Sequence, residues 1–135
     1  MKKIAIIGAS EFQVPLVQYC NKVGIETHVF AWEKGALAKN ISKKFYSISI
    51  IDIEKIYTKC LEINIDGICS IGSELAMLTV SKVANRLNLN SNSINSAILT
   101  QNKGKMKNAF KTFGINCAEG KGFSNINSAE IYSKA

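Results

Sequence analysis

An α/β fold, a mainly parallel sheet with helices on both faces, follows from three features of the sequence. Short apolar runs, Ile4-Ala5-Ile6-Ile7 and Ile68-Cys69-Ser70-Ile71, alternate with helix-length amphipathic stretches. Both runs end on a glycine, Gly8 and Gly72, followed by small or polar residues suited to a helix start. The run before Gly8 leaves no polar position for a wet face, as in a strand covered on both sides.

Taken in order, 4–7 is the first strand and Gly8-Ala9-Ser10 its exit turn. Ser10 or Glu11 is expected to cap a helix from about Phe12 to Lys22. Its apolar side reads as Phe12, Leu16, Tyr19 and Cys20, with Val17 and Val23 beside it. Pro15 falls in the first turn, where proline is tolerated, and Val23-Gly24 ends the helix. Such a strand–turn–helix is expected to leave amide N–H groups unpaired above the sheet edge, where an anion can sit.

Residues 25–31 form the second strand, with Trp32-Glu33 at its exit. Residues 36–44 read as polar and irregular, and 45–48 as a short strand. Asp52 caps a helix whose inner face is Ile53, Ile56, Tyr57, Cys60 and Ile63. Asp66-Gly67 turns the chain into the strand at 68–71. Gly72-Ser73-Glu74 then opens a helix expected to bury Leu75, Leu78, Val83 and Leu87. After a polar connector, 94–101 is a short helix capped by Ser93.

The stretch from Lys103 to Phe113 carries an apolar stripe of Met106, Ala109, Phe110 and Phe113. Lys103, Lys107 and Lys111 fall on another side at i, i+4 steps. Lys103 opposes the helix macrodipole by roughly a few tenths of a kcal/mol unless an anion joins it. Gly114 stops this helix. Residues 124–135 form a polar helix whose Ile126, Ile131 and Tyr132 cannot enclose a core of their own.

With 135 residues, 47% of them hydrophobic, the chain is long enough to bury a core, and no apolar run reaches membrane-spanning length. No signal-peptide pattern follows Lys2-Lys3, so a cytoplasmic location is expected. The four cysteines lie too far apart for metal-ligand or redox spacing and read as small core hydrophobes. The formal charge of +7 comes from scattered lysines with a single arginine and no interleaved aromatic platform, which argues against nucleic acid. His28, the one histidine, stands on a strand with no nucleophile or second ligand near it in sequence and reads as structural. No catalytic residue and no metal ligand is assigned.

Ligands of parallel sheets bind beyond the carboxyl ends of the strands. That gathers Ser10, Glu11, Glu33, Ser73 and Glu74 around one crevice, as polar contacts to a ligand or simply as caps and solvated loop residues.

The residues in this order resemble the front end of an ATP-grasp enzyme, the carboxylate–amine ligase superfamily that includes the carbamoyl-phosphate synthase large subunit and biotin carboxylase. The resemblance covers about 3–135. It rests on Gly8-Ala9-Ser10, Lys44-Phe45-Tyr46, Asp66-Gly67-Ile68, Gly72-Ser73-Glu74, and Asn102-Lys103 leading to Phe113-Gly114-Ile115. It implies a pre-ATP-grasp domain over 1–114, a Rossmann-like three-layer sandwich, with 115–135 as the start of a truncated ATP-grasp domain. It also implies that Gly8, Ala9, Ser10, Glu11, Glu33, Ser73 and Glu74 bind a small-molecule carboxylate, and that Lys103 reaches the phosphates of ATP. ATP and Mg²⁺ belong to the complete enzyme. The second ATP-binding lysine, the adenine hinge and the Mg²⁺-binding carboxylates lie beyond these residues, so neither turnover nor tight ATP binding is expected of this chain alone. The remaining ATP-grasp domain is then supplied in cis or in trans.

Two other readings compete. One is a free-standing Rossmann domain for NAD or a nucleotide sugar, although 8–13 keep only the first glycine of G-x-G-x-x-G and set Glu11 against a pyrophosphate. The other is a non-catalytic subunit of a split enzyme.

Overall fold

The computed structural model describes residues 1–134. Its contacts divide the chain into two compact units, Met1–Ile98 and Leu99–Ala135.

The first unit carries the strands β1 (Lys3–Ile7), β2 (Glu26–Ala31), β3 (Lys44–Ser47) and β4 (Gly67–Cys69). They form one four-stranded parallel sheet in the order β3-β2-β1-β4. Register is set by apolar pairs such as Ile6 with Val29 and Val29 with Phe45. Three helices, α1 (Val14–Lys22), α2 (Ile53–Ile63) and α3 (Glu74–Arg86), connect and follow the strands. The sheet first grows from β1 toward β3, then the chain returns to place β4 on the other side of β1. Since parallel crossovers are right-handed, this reversal puts α1 on one face and α2 on the opposite one. The layered α/β prediction holds. The reversal also opens a crevice beyond the carboxyl ends of β1 and β4.

The core is made by the residues the apolar runs supplied. Ala5, Ile6, Ile7, Val29 and Phe30 are sealed from solvent, joined by Ile56 and Cys60 from α2. Burying each of the larger of these side chains contributes roughly 1.5–3 kcal/mol. Asp52 caps α2 by accepting from Lys55 N, and Ser73 caps α3 by accepting from Ala76 N, both as expected.

Three sequence expectations are corrected. The first helix starts at Val14 rather than at Phe12, and neither Ser10 nor Glu11 caps it: Gln13 holds the cap position without a side-chain cap bond. Its inward face is Gln13, Val17 and Cys20, leaving Phe12 and Tyr19 exposed. On α3 the buried residues are Ala76, Thr79, Val80, Ser81, Val83 and Ala84, while Leu75 points to solvent. Small side chains line this face because α3 lies close against its neighbours. The strand at 68–71 ends early at Cys69, with Ile71 exposed in the following loop. The stretch at 36–44 contains a single 3-10 turn, Leu37–Asn40.

Helix α4 (Ile94–Gln101) is capped by the Ser93 hydroxyl, which accepts from Ser96 N. The second unit contains α5 (Lys103–Thr112) and α6 (Ile126–Ser133), and neither buries a residue fully. In α5, Met106, Ala109 and Phe110 are half-buried, whereas Phe113 is exposed. The Lys107 ammonium donates to the Ala118 carbonyl, and Phe123 packs against Tyr132 at 5.2 Å between ring centres. The helix expected at 124–135 is shorter at its start, and residue 135 lies outside the described residues.

Candidate functional site

Beyond the ends of β1, β2 and β4 lies a cleft of about 340 Å³. Its floor is the loop Gly8-Ala9-Ser10 leaving β1. One wall is Trp32, Lys34, Gly35 and Ala36 after β2, and the other is Gly72-Ser73 after β4. Gly8, Ala9, Ser10 and Ser73, four of the expected residues, are therefore brought together. Glu11, Glu33 and Glu74 do not line the cleft.

The loop at Gly8 is held from within. Gly8 N donates to Phe30 O at 2.8 Å, which fixes the turn to β2. Gln13, 2% exposed, folds its side chain back under the loop. Its Oε1 accepts from Ser10 N and Ser10 Oγ, each at 2.8 Å, and its Nε2 donates to Ile71 O across the crevice. One buried amide thus joins the exit of β1 to the exit of β4. Gly8 has φ +106, and a Cβ there would stand 3.0 Å from Gln13 Cδ, so a side chain is excluded on both counts. Gly72, at φ +65, receives Phe12 in the same way: a Cβ would stand 3.0 Å from Phe12 Cβ. The two glycine loops are clasped by Phe12 and Gln13.

Part of the expected set of unpaired amides at the first turn is occupied. Gly8 N and Ser10 N are already bonded, Gln13 N donates to Ser10 O, and Val14 N to Glu11 O. These bonds fix the shape of the loop.

Charge comes from a side chain instead. Glu33 is exposed and paired with Lys39, whose hydrogen bond holds the carboxyl below its usual range. Lys34, the next residue, is the sole charged residue lining the cleft, and it makes no ion pair among the described residues. The rest of the wall is largely apolar, including Phe12, Ala31, Trp32 and Ile50. Thr79 Oγ1 donates to Ile50 O at 2.6 Å and so ties this part of the wall to α3. The cleft offers one cation, the Ser73 hydroxyl and an apolar lining, the Ser10 hydroxyl being donated to Gln13.

Sequence reasoning missed Phe12, Gln13, Trp32 and Lys34 as cleft residues. Trp32 stands beside Glu33 at the strand exit, so the rule that placed Glu33 there could have found it. Lys34 and Gln13 had no such signal, each being one polar residue in a polar loop.

Elsewhere the side-chain chemistry is subdued. His28 is buried, with Nδ1 3.1 Å from the Tyr46 hydroxyl and Nε2 2.9 Å from Glu26 Oε1. Burial pushes the imidazole below its ordinary value, with Glu26 partly opposing, and pushes the Tyr46 phenol up. Burial likewise raises the Cys60 thiol to about 12 and the Cys69 thiol to about 11, so neither serves as a nucleophile near neutrality. Among the described residues no three His, Cys, Asp or Glu side chains gather as a metal-ligand set. Also among the described residues, no helix is long and apolar enough to cross a membrane.

In the second unit, Lys103 is the first residue of α5, directly after Asn102, whose side chain caps the helix through Lys105 N. Lys103, Lys107, Lys111 and Lys121 line a groove together with Glu119. Lys107 is committed to a backbone carbonyl, and Lys111 stands 3.9 Å from the Glu119 carboxylate.

No protein-family model matches the chain. No curated protein sequence matches it either. Solved structures do. The chain is similar to phosphoribosylglycinamide synthetase from Anaerococcus prevotii, at 24% identity and TM-score 0.78, over 98% of this chain and 34% of that one. It is similar to N5-carboxyaminoimidazole ribonucleotide synthetase from Thermotoga maritima, at 22% identity and TM-score 0.77, over 98% of this chain and 36% of that one. It is also similar to the biotin carboxylase domain of a Hydrogenobacter thermophilus carboxylase in complex with MgADP and bicarbonate. There the identity is 16% and the TM-score 0.74, over 98% of this chain and 32% of that one. The chain thus spans about a third of the length of the structures it resembles. Its fold is the one that ATP-grasp enzymes carry as their N-terminal domain.

Proposed function

We propose that this chain is the N-terminal, substrate-binding domain of an ATP-dependent carboxylate–amine ligase of the carbamoyl-phosphate-synthase-like kind, acting through an acylphosphate. The observation that carries this reading is the cleft at the strand ends, with Lys34 as its one charged residue. A cation without a carboxylate partner in a concave, mostly apolar site suits the carboxylate of a small acid. Gly8, Ala9 and Ser10 shape the floor, and Ser73 in the wall supplies a hydroxyl. Glu11, Glu33 and Glu74 act, in this reading, at the approach to the cleft rather than in its wall.

The chain's own residues bind and orient the acid. Lys103 is assigned to the nucleotide phosphates, and the rest of the ATP-grasp domain, in cis or in trans, supplies the remainder of the ATP site. ATP furnishes the phosphoryl group there, with Mg²⁺ held outside these residues. The domain division at 1–114 and 115–135, and a cytoplasmic setting, belong to the same proposal. The NAD-binding alternative is weakened by Gln13: it occupies Ser10 N, as Phe30 O occupies Gly8 N, and these are donors a pyrophosphate would need.

Calorimetric titration of the 135-residue chain with an Mg²⁺-complexed non-hydrolysable ATP analogue tests the reading. The expected result is no saturable heat in the micromolar range. Micromolar binding would overturn the assignment of an incomplete nucleotide site.

A further inference from the structure

The cleft combines features that together specify a kind of acid. Its volume, about 340 Å³, lies at the small end of ligand sites. Its charge is confined to Lys34, on the loop after β2. Glu33 beside it is held by Lys39, which spares Lys34 a competing carboxylate. The apolar lining of the same cleft includes Phe12 and Trp32, each more than half exposed, and the nearly buried Ile50. Exposed aromatic rings in a concave wall are surfaces that a ligand's apolar part can cover. A small, very polar anion such as acetate would leave them wet.

We infer that the cleft selects an amphipathic carboxylate, a single anionic head on an apolar or aromatic body. Lys34 receives the head, while Phe12, Trp32 and Ile50 cover the body. This rests on the reading of the cleft as the acid-substrate site and names the class of acid. Lys34 is then the specificity-determining residue for charge, and it acts by direct contact with the ligand.

Trp32, the single tryptophan, reports binding from within the wall. Its emission is followed while the chain is titrated with phenylacetate, phenylacetamide and acetate at low ionic strength. Phenylacetate is expected to bind more tightly than either of the others, and added salt to weaken it but not the amide. Lys34→Gln should weaken phenylacetate about fivefold, the size of an exposed charge contact, and leave phenylacetamide unchanged. Lys34→Arg should retain most of the affinity, and circular dichroism checks that both variants are folded.

If phenylacetate binds but Lys34→Gln leaves it unaffected, or acetate binds as tightly, the inference falls and the acid-site reading stands. If Trp32 responds to none of the three, or the amide binds as well as the acid, both fall.

Discussion

Between Met1 and Ile98 the chain folds around side chains sealed from water, Phe30, Ile6, Ile7 and Ile56 among them. None of residues 99–134 is fully buried, although α5 carries an apolar stripe of its own, weaker than that of α2. The difference lies in what each stripe has to lie against. In the first unit a parallel sheet presents a continuous apolar surface, and Ile56 and Cys60 of α2 close onto it. The second unit holds only short helices and loops among its described residues, and Phe110 and Met106 stay half-buried there. A helix with the right spacing becomes part of a core only when a sheet or a second long helix covers it.

Truncating one large side chain in each unit breaks this comparison most directly. Phe30→Ala is expected to destabilise the first unit by about 3–5 kcal/mol in urea denaturation, and Phe113→Ala to change stability by no more than about 0.5 kcal/mol. Equal effects would mean that the two units share one core.

Gln13→Ala gives the next largest effect, since it strips partners from Ser10 N, Ser10 Oγ and Ile71 O at once. A loss of about 1–3 kcal/mol is expected by the same measurement.

The smallest effect is that of pH on the first unit. His28 is held neutral by burial, against the opposing pull of Glu26, with Lys3 and Lys44 also acting against its protonation. Its folded pKa is lowered by burial, so on acidification the unfolded chain takes up the proton first. Stability contributed at His28 is therefore complete above the ordinary imidazole value of about 6.5. It declines as pH falls from there toward the lowered folded value, and levels off below it. Urea midpoints compared at pH 7.5 and pH 5 should show this decline (both conditions roughly, chosen above the carboxylate range). Because His28 is the only histidine, His28→Gln should flatten it.

The sheet was legible because its strands are nearly uninterrupted apolar runs that end on glycine, and Asp52, Ser73 and Ser93 announced their helices as caps. The phase of α1 was not legible. Hydrophobic spacing placed Phe12 and Tyr19 inward, whereas a polar residue, Gln13, holds the buried position because it satisfies three groups of two loops. Leu75 was misread for a related reason: it begins α3 beyond the end of β4, where no strand remains to cover it. The location of the cleft followed from strand order, which the alternation of elements implied. Its charge did not, since Glu33 and Lys34 are adjacent loop residues and only the fold shows that Lys39 draws the first away.

The seating of Phe12 on Gly72 has a consequence for altering what the cleft accepts. A side chain at position 72 would be strained by the positive φ and would press on the base of the Phe12 side chain, so a change there is felt at the exit of the first strand as well as the fourth. Substitutions meant to reshape this end of the cleft are best made at positions 12 and 72 together.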